Sequence, residues 1–149
     1  MKRLLLFLLP FFFVACQQEN LYYSDYRHIS HSRWDKNDTL IFTLPPSERD
    51  LDVTVTLSVR TTADASYSDL VTRLEVFSDA RPLSSVHVPI ALYKGTHRTG
   101  RGFSPAESSS RPQSLHLQSH HTYTFRVTHL MRLNPLSGVQ DFSILVEEE

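Results

Sequence analysis

The feature that most restricts what this chain can become is an unbroken alternation near its middle. Val53, Val55, Leu57 and Val59 are separated by Thr54, Thr56, Ser58 and Arg60. Side chains of an extended strand point to opposite faces in turn, so such a segment buries one face and wets the other. The same period recurs along the chain. Leu40, Phe42 and Leu44 alternate with Ile41 and Thr43 until Pro45-Pro46 stops the run, because proline has no N–H to give a ladder. Leu74 and Val76 point inward from a strand over about residues 70–77, with Arg73 and Glu75 outward. Val86, Val88, Ile90 and Leu92 point inward from the next, and Pro89 within it predicts an edge strand. Tyr123, Phe125 and Val127, then Phe142, Ile144 and Val146, complete the set. No long stretch keeps a helical period. Antiparallel strands with one wet face bury the other against a second sheet. The expected fold is therefore all-β, a single antiparallel β-sandwich, Ig-like or jelly-roll-like, over residues 37–149.

The N-terminus has a different composition. Lys2 and Arg3 precede an uncharged apolar run of twelve residues, 4–15, broken by Pro10. A membrane-crossing helix needs about 20 such residues. A short basic region followed by a short apolar one is instead a secretory signal. The run ends in Phe13-Val14-Ala15-Cys16 and is followed by polar Gln17-Gln18-Glu19-Asn20, a pattern that resembles a lipobox. Cys16 is the only cysteine in the chain and falls where lipid would be attached. One cysteine also excludes a disulfide framework and a thiolate metal cluster. The expectation is a signal peptide over residues 1–15, lipidation at Cys16, and a membrane contact made by that N-terminal lipid. Residues 16–36 hold Tyr22, Tyr23, Tyr26 and Trp34 but show no period, and are expected to form a tether that docks on the domain. A ligand-stacking surface is the alternative use of those aromatics.

Charge narrows the partners. Lys and Arg total 15 against 16 Asp and Glu, a net charge of −1, which lacks the basic footprint of a nucleic-acid binder. No G-x-S-x-G, H-E-x-x-H or P-loop motif is present, so no enzyme and no cofactor are expected. Among eight histidines, His116, His120 and His121 form an H-x3-H-H group, and His28 and His31 an H-x2-H pair. On a strand the group divides between two faces, so no metal site is expected. Residues 95–114 hold three of the four glycines and are rich in serine and proline, which predicts a long mobile loop. Within it Arg98 and Arg101, followed by Phe103, form a candidate anion grip assisted by backbone N–H groups.

The order of several short motifs resembles the gliding motility lipoprotein GldH family of Bacteroidetes. After the lipobox cysteine come Tyr22-Tyr23-Ser24-Asp25-Tyr26 and Trp34-Asp35-Lys36-Asn37-Asp38. Next come the strand ending at Arg60 and the segment Ala65-Ser66-Tyr67-Ser68-Asp69-Leu70, which here lacks the family's proline. Gly100-Arg101-Gly102-Phe103 is similar to the family's glycine loop, with Ser104 in place of the glycine that follows. Tyr123-Thr124-Phe125-Arg126-Val127, Met131-Arg132, Leu136, Gly138-Val139 and Asp141 are similar to its C-terminal block. The resemblance covers essentially the whole chain after Cys16. It implies a cell-envelope lipoprotein without enzymatic activity, acting through contacts with other envelope, motility or secretion proteins. The expected location is the outer membrane, on the periplasmic face. The residues themselves leave open a small-ligand or glycan-binding lipoprotein, with Tyr22, Tyr23, Tyr26, Trp34, Arg98, Arg101 and Phe103 as the candidate surface.

Overall fold

The structure is a computed structural model and describes residues 20–149. The signal segment and Cys16 lie outside the described residues. The strands are β1 (Leu21–His28), β2 (Arg33–Trp34), β3 (Leu40–Leu44), β4 (Leu51–Thr61) and β5 (Asp69–Ser78). They continue with β6 (Arg81–Ala91), β7 (Tyr93–Lys94), β8 (His97–Arg98), β9 (Ala106–Ser109) and β10 (Gln113–Leu117). The last are β11 (Tyr123–His129), β12 (Leu136–Ser137) and β13 (Val139–Glu148). One short 3-10 turn, Ser30–Ser32, interrupts them, and the described residues contain no α-helix.

Two antiparallel sheets pack face to face. One has the order β1-β13-β4-β10, with β9 pairing the second half of β4 beside β10. The other has the order β3-β11-β5-β6. The period of two explains the packing. Leu51, Val53, Val55, Leu57 and Val59 of β4 all turn inward and are buried, as are Phe142, Ile144 and Val146 of β13. They meet Phe42, Leu74, Val76, Val88, Ile90, Phe125 and Val127 from the opposite sheet. Burying a side chain of this size stabilises by about 1.5–3 kcal/mol, so this interface holds the fold together. β6 lies at a sheet edge, as Pro89 requires.

Three expectations are corrected. The stretch read as a tether contains β1, which pairs with β13 from Leu21 to His28 and closes one side of the five-stranded sheet. Its period is hidden because the inward positions are Tyr23, Asp25 and Arg27. At this open flank of the sandwich they need polar partners rather than apolar cover. Arg27 donates to Asp25 at 2.6 Å and to the Ile41 carbonyl at 2.8 Å, and its guanidinium lies 4.8 Å from the Phe42 ring centroid. The serine-rich stretch is not one loop either. Ala106–Ser109 and Gln113–Leu117 are strands on β4. Ser110 sits between them, its hydroxyl accepting the Leu57 N–H at 3.1 Å. Finally, Val86 points between the sheets as expected but remains 39% exposed, because the sheets part there and leave a slot between β6 and β10.

Candidate functional site

The outer face of the five-stranded sheet brings together the residues with functional chemistry. Register places them in rows across the strands. His28 of β1 stands opposite Asp141 of β13, Asp141 opposite Arg60 of β4, and Arg60 opposite Glu107 of β9. Glu107 in turn bridges Arg101. From Asp141 through Arg60 and Glu107 to Arg101 the row alternates in sign, an arrangement in which each cross-strand neighbour attracts the next, and the His28 ring closes its near end. Asp141 is its centre. His28 Nδ1 lies 2.8 Å from one carboxylate oxygen and Arg60 donates to the other at 3.2 Å. Asp141 is only 8% exposed, so removing either partner would leave a largely desolvated charge less compensated.

The next row holds hydroxyls: Tyr26, Ser143, Ser58 and Ser109. The Ser58 and Ser109 hydroxyls bond at 2.8 Å. Their small side chains leave a low floor beside the Tyr26 ring, which is 66% exposed. Tyr26, Arg60, Asp141 and Ser143 line a shallow basin of about 160 Å³. An aromatic wall, a cation, a carboxylate and a hydroxyl can together stack a flat ring and bond its polar edge.

Of the sequence candidates, Tyr26 and Arg101 lie on this face. Phe103, two residues past Arg101, is fully exposed. The others do not join them. Trp34 is a correction: it is completely buried, its indole N–H donating to the Asp38 carbonyl at 2.8 Å and its ring meeting His129 and Phe142. It plugs the end of the sandwich and offers no surface for stacking. Arg98 is also corrected. Its guanidinium donates to the Phe103 carbonyl at 2.7 Å, the Thr62 carbonyl at 2.9 Å and the Thr61 hydroxyl at 3.2 Å. Those bonds pin the glycine loop to the end of β4 and leave little for an anion. Tyr22 donates to the Pro45 carbonyl at 2.6 Å, at the other end of the sandwich. Burial raises the Tyr22 pKa, with a smaller contribution from Glu148. Tyr23 turns inward and donates to Asp25 at 3.0 Å. Partial burial alone would raise the Asp25 carboxyl, but bonds from Arg27, the Tyr26 N–H and Tyr23 outweigh it and lower its pKa.

Sequence reasoning named His28 only within a histidine pair and Arg60 and Asp141 only within the family motifs, brought none of them together as a site, and missed Ser143. The available signal was Arg60, the one cation among the outward residues of β4, which otherwise are Asp52, Thr54, Thr56 and Ser58, but its neighbours are defined only once the register is known. The histidines do not converge. His116 faces Asp52 at 2.8 Å and His121 faces Asp79. Among the described residues no group of three or more His, Cys, Asp or Glu could hold a metal ion. No helix among them is long and apolar enough to cross a membrane.

A CocE/NonD family hydrolase from Staphylococcus aureus is similar at 8% identity and a TM-score of 0.43, over 87% of this chain and 33% of that one. Dimeric latent PorU from Porphyromonas gingivalis is similar at 12% identity and a TM-score of 0.37, over 90% and 14%. The chain thus spans a third or less of the length of these structures. No curated protein matches it. Residues 21–146, from the first strand to the end of the core of the last, match the GldH lipoprotein family. The chain belongs to that family of gliding-motility lipoproteins.

Proposed function

We propose that this protein works without catalysis, as a lipid-anchored element that binds other proteins of the motility and secretion apparatus. The family provides the lipid anchor, the cell-envelope location and the association with motility. In this reading residues 1–15 are removed and Cys16 carries the lipid. The folded domain begins at β1 and stands on the periplasmic side of the outer membrane. The observation that carries the reading is Phe103, a fully exposed aromatic side chain beside Arg101 at the end of the charged row. Phenylalanine and arginine are both enriched in the cores of protein interfaces relative to the rest of the surface. A photoreactive amino acid at Phe103 or Tyr26, in intact cells, should cross-link to a discrete envelope protein. The same probe at Glu48, at the opposite end, should not. Equal yields from all three positions would overturn the reading.

A second reading is supported by the basin beside Tyr26: a small ligand or glycan whose ring stacks on Tyr26 while Arg60, Asp141 and Ser143 bond its hydroxyls. Titration with neutral oligosaccharides, followed by Tyr26 ring shifts, tests it. Unchanged shifts at millimolar sugar would exclude it.

A further inference from the structure

The four-stranded sheet ends on β6, whose outer side pairs with nothing among the described residues. The ladder with β5 fixes which backbone groups face that side. Val71, opposite Pro89, bonds the other way, its carbonyl accepting the Leu130 N–H at 2.8 Å. Directly opposed residues alternate between bonded and non-bonded pairs, so Pro89, and with it His87 and Ser85, turn their backbone groups away from β5. A proline is tolerated there because no ladder bond is lost. The Ser85 and His87 N–H groups and the Ser85, His87 and Pro89 carbonyls therefore form an open row. The register shift at Leu83 bounds it on one side. On the other, the Thr99 hydroxyl already occupies the Ala91 carbonyl.

The side chains beside this row matter as much. Val88 and Ile90 point inward and are buried, but Val86, on the same face, is not. There the two sheets part, and a slot of about 80 Å³ opens over Val55, Leu74, Val76, Leu115 and Phe125. Arg81 begins β6, and Arg111 lines the adjoining groove with Asp69, Val88 and Pro89, and neither arginine is in an ion pair among the described residues. The edge thus combines unpaired strand hydrogen bonds, an apolar slot under alternate positions and a cation towards each end.

We propose that β6 receives an extended segment of a partner protein as a further strand. The segment's alternate side chains are small and apolar over the slot, and acidic residues flank them to meet Arg81 and Arg111. Main-chain bonds hold such a strand, and the pockets under alternate side chains select it. A second copy of this chain fits less well. Antiparallel pairing of two β6 edges turns one domain end over end, which chains anchored by N-terminal lipid in one leaflet do not allow. The proposal rests on the reading of the protein as acting through protein contacts, and it uses a surface apart from Tyr26 and Phe103.

The probe is an acetylated peptide in which threonine and valine alternate between terminal glutamates, added to the isotope-labelled lipoprotein in detergent. Amide exchange should slow at Ser85 and His87, and the Val86 methyl resonances should shift. His87→Pro removes an outward N–H without touching the β5 ladder, as Pro89 does, and should weaken binding about tenfold or more. Val86→Asp, which puts a charge at the slot, should do the same and serves if the proline variant does not fold. Failure to bind at millimolar peptide, binding without protection at Ser85 and His87, or full affinity in both variants would overturn the proposal. Dimerisation without peptide, abolished by His87→Pro, would assign the edge to a second copy and overturn it too. Cross-linking from Phe103 and Tyr26 would be unaffected by any of these failures.

Discussion

Trp34 and Tyr26 lie in one aromatic-spotted stretch but have opposite roles. Trp34 is completely buried against His129 and Phe142, with its N–H satisfied by the Asp38 carbonyl. Truncating it leaves a large cavity, and Trp34→Ala should cost about 3–5 kcal/mol in urea unfolding. Tyr26 projects into solvent, so Tyr26→Ala should change stability by no more than about 0.5 kcal/mol and serves as a clean surface variant. His129 beside Trp34 predicts a pH dependence. Its Nε2 lies 3.1 Å from the Trp34 carbonyl, while Nδ1 is buried without a partner. Burial lowers its pKa, and the bond to the Trp34 carbonyl only partly offsets this. The unfolded chain, with an ordinary histidine near 6.5, takes up a proton that the native state resists. The stability this gives is present above that pH and lost as pH falls below it. His116 acts in the opposite sense: its bond to Asp52 raises its pKa, and its contribution fades as pH rises through the folded value. His116 is exposed, where solvent screens the pair, so His129 decides the trend. The urea midpoint should fall as pH drops from about 7 to about 5.5, and His129→Leu should flatten that slope. A slope unchanged in the variant would reject the assignment.

At the scale of strands, β1, β9 and β10 are among the elements that period alone did not reveal, the first two for related reasons. Alternation marks a strand only where its inward face meets apolar cover. β1 faces a flank closed by Asp25 and Arg27, and β9 turns inward only Ala106 and Ser108. The central strands β4, β5, β11 and β13, apolar on one face, were legible directly. The functional face was legible only in part. Tyr26 and Arg101 could be picked by type, but the row from His28 to Glu107 exists only through the register of four strands. Gly138 shows what a short motif meant physically. It has a φ of +88°, and a Cβ there would strike the Ala65 backbone, so the family's Gly-Val pair marks a tight crossing rather than a site. Because β1 is part of the sheet, deleting residues 21–28 should expose the edge of β13 and cause aggregation or loss of the folded signal by circular dichroism. A dispensable tether would leave both unchanged. In the glycine loop, Arg98 is held by backbone carbonyls, whereas Arg101 leads into Gly102 and the fully exposed Phe103. Limited trypsin digestion should therefore cut after Arg101 before Arg98 or Arg111.

Across the whole molecule the strands run between two unlike ends. The end where β1 begins carries Glu48, Asp50, Asp52, Asp79 and Glu147 to Glu149, with Arg49, Arg81 and three histidines among them, His116 facing Asp52 and His121 facing Asp79. Arg49 is already paired with Glu148 at 2.6 Å. Phe103 and Arg101 lie at the other end, beyond the eleven-residue β4, about 35 Å away at the usual rise per residue. Three residues, 17–19, separate Cys16 from the first described residue, Asn20. Fully extended, the four steps from Cys16 to Asn20 span at most about 14 Å. With Cys16 lipidated, as proposed, this end is held close to the headgroups. In the proposed reading Phe103, at the far end of the domain, is the part held away from the membrane, at a height that the short link limits. Two changes separate anchoring from height. Cys16→Ser should abolish lipid labelling and leave uncleaved precursor or soluble protein, since two or three acyl chains supply the stable attachment. Inserting about 20 glycine and serine residues after Gln18 should keep the lipid label and the fold but add tens of ångströms of slack. Cross-linking from Phe103 should then drop several-fold. Undiminished cross-linking in the lengthened protein would mean that its partner follows it freely, and wild-type protein that takes up no lipid label would remove the anchor on which the geometry depends.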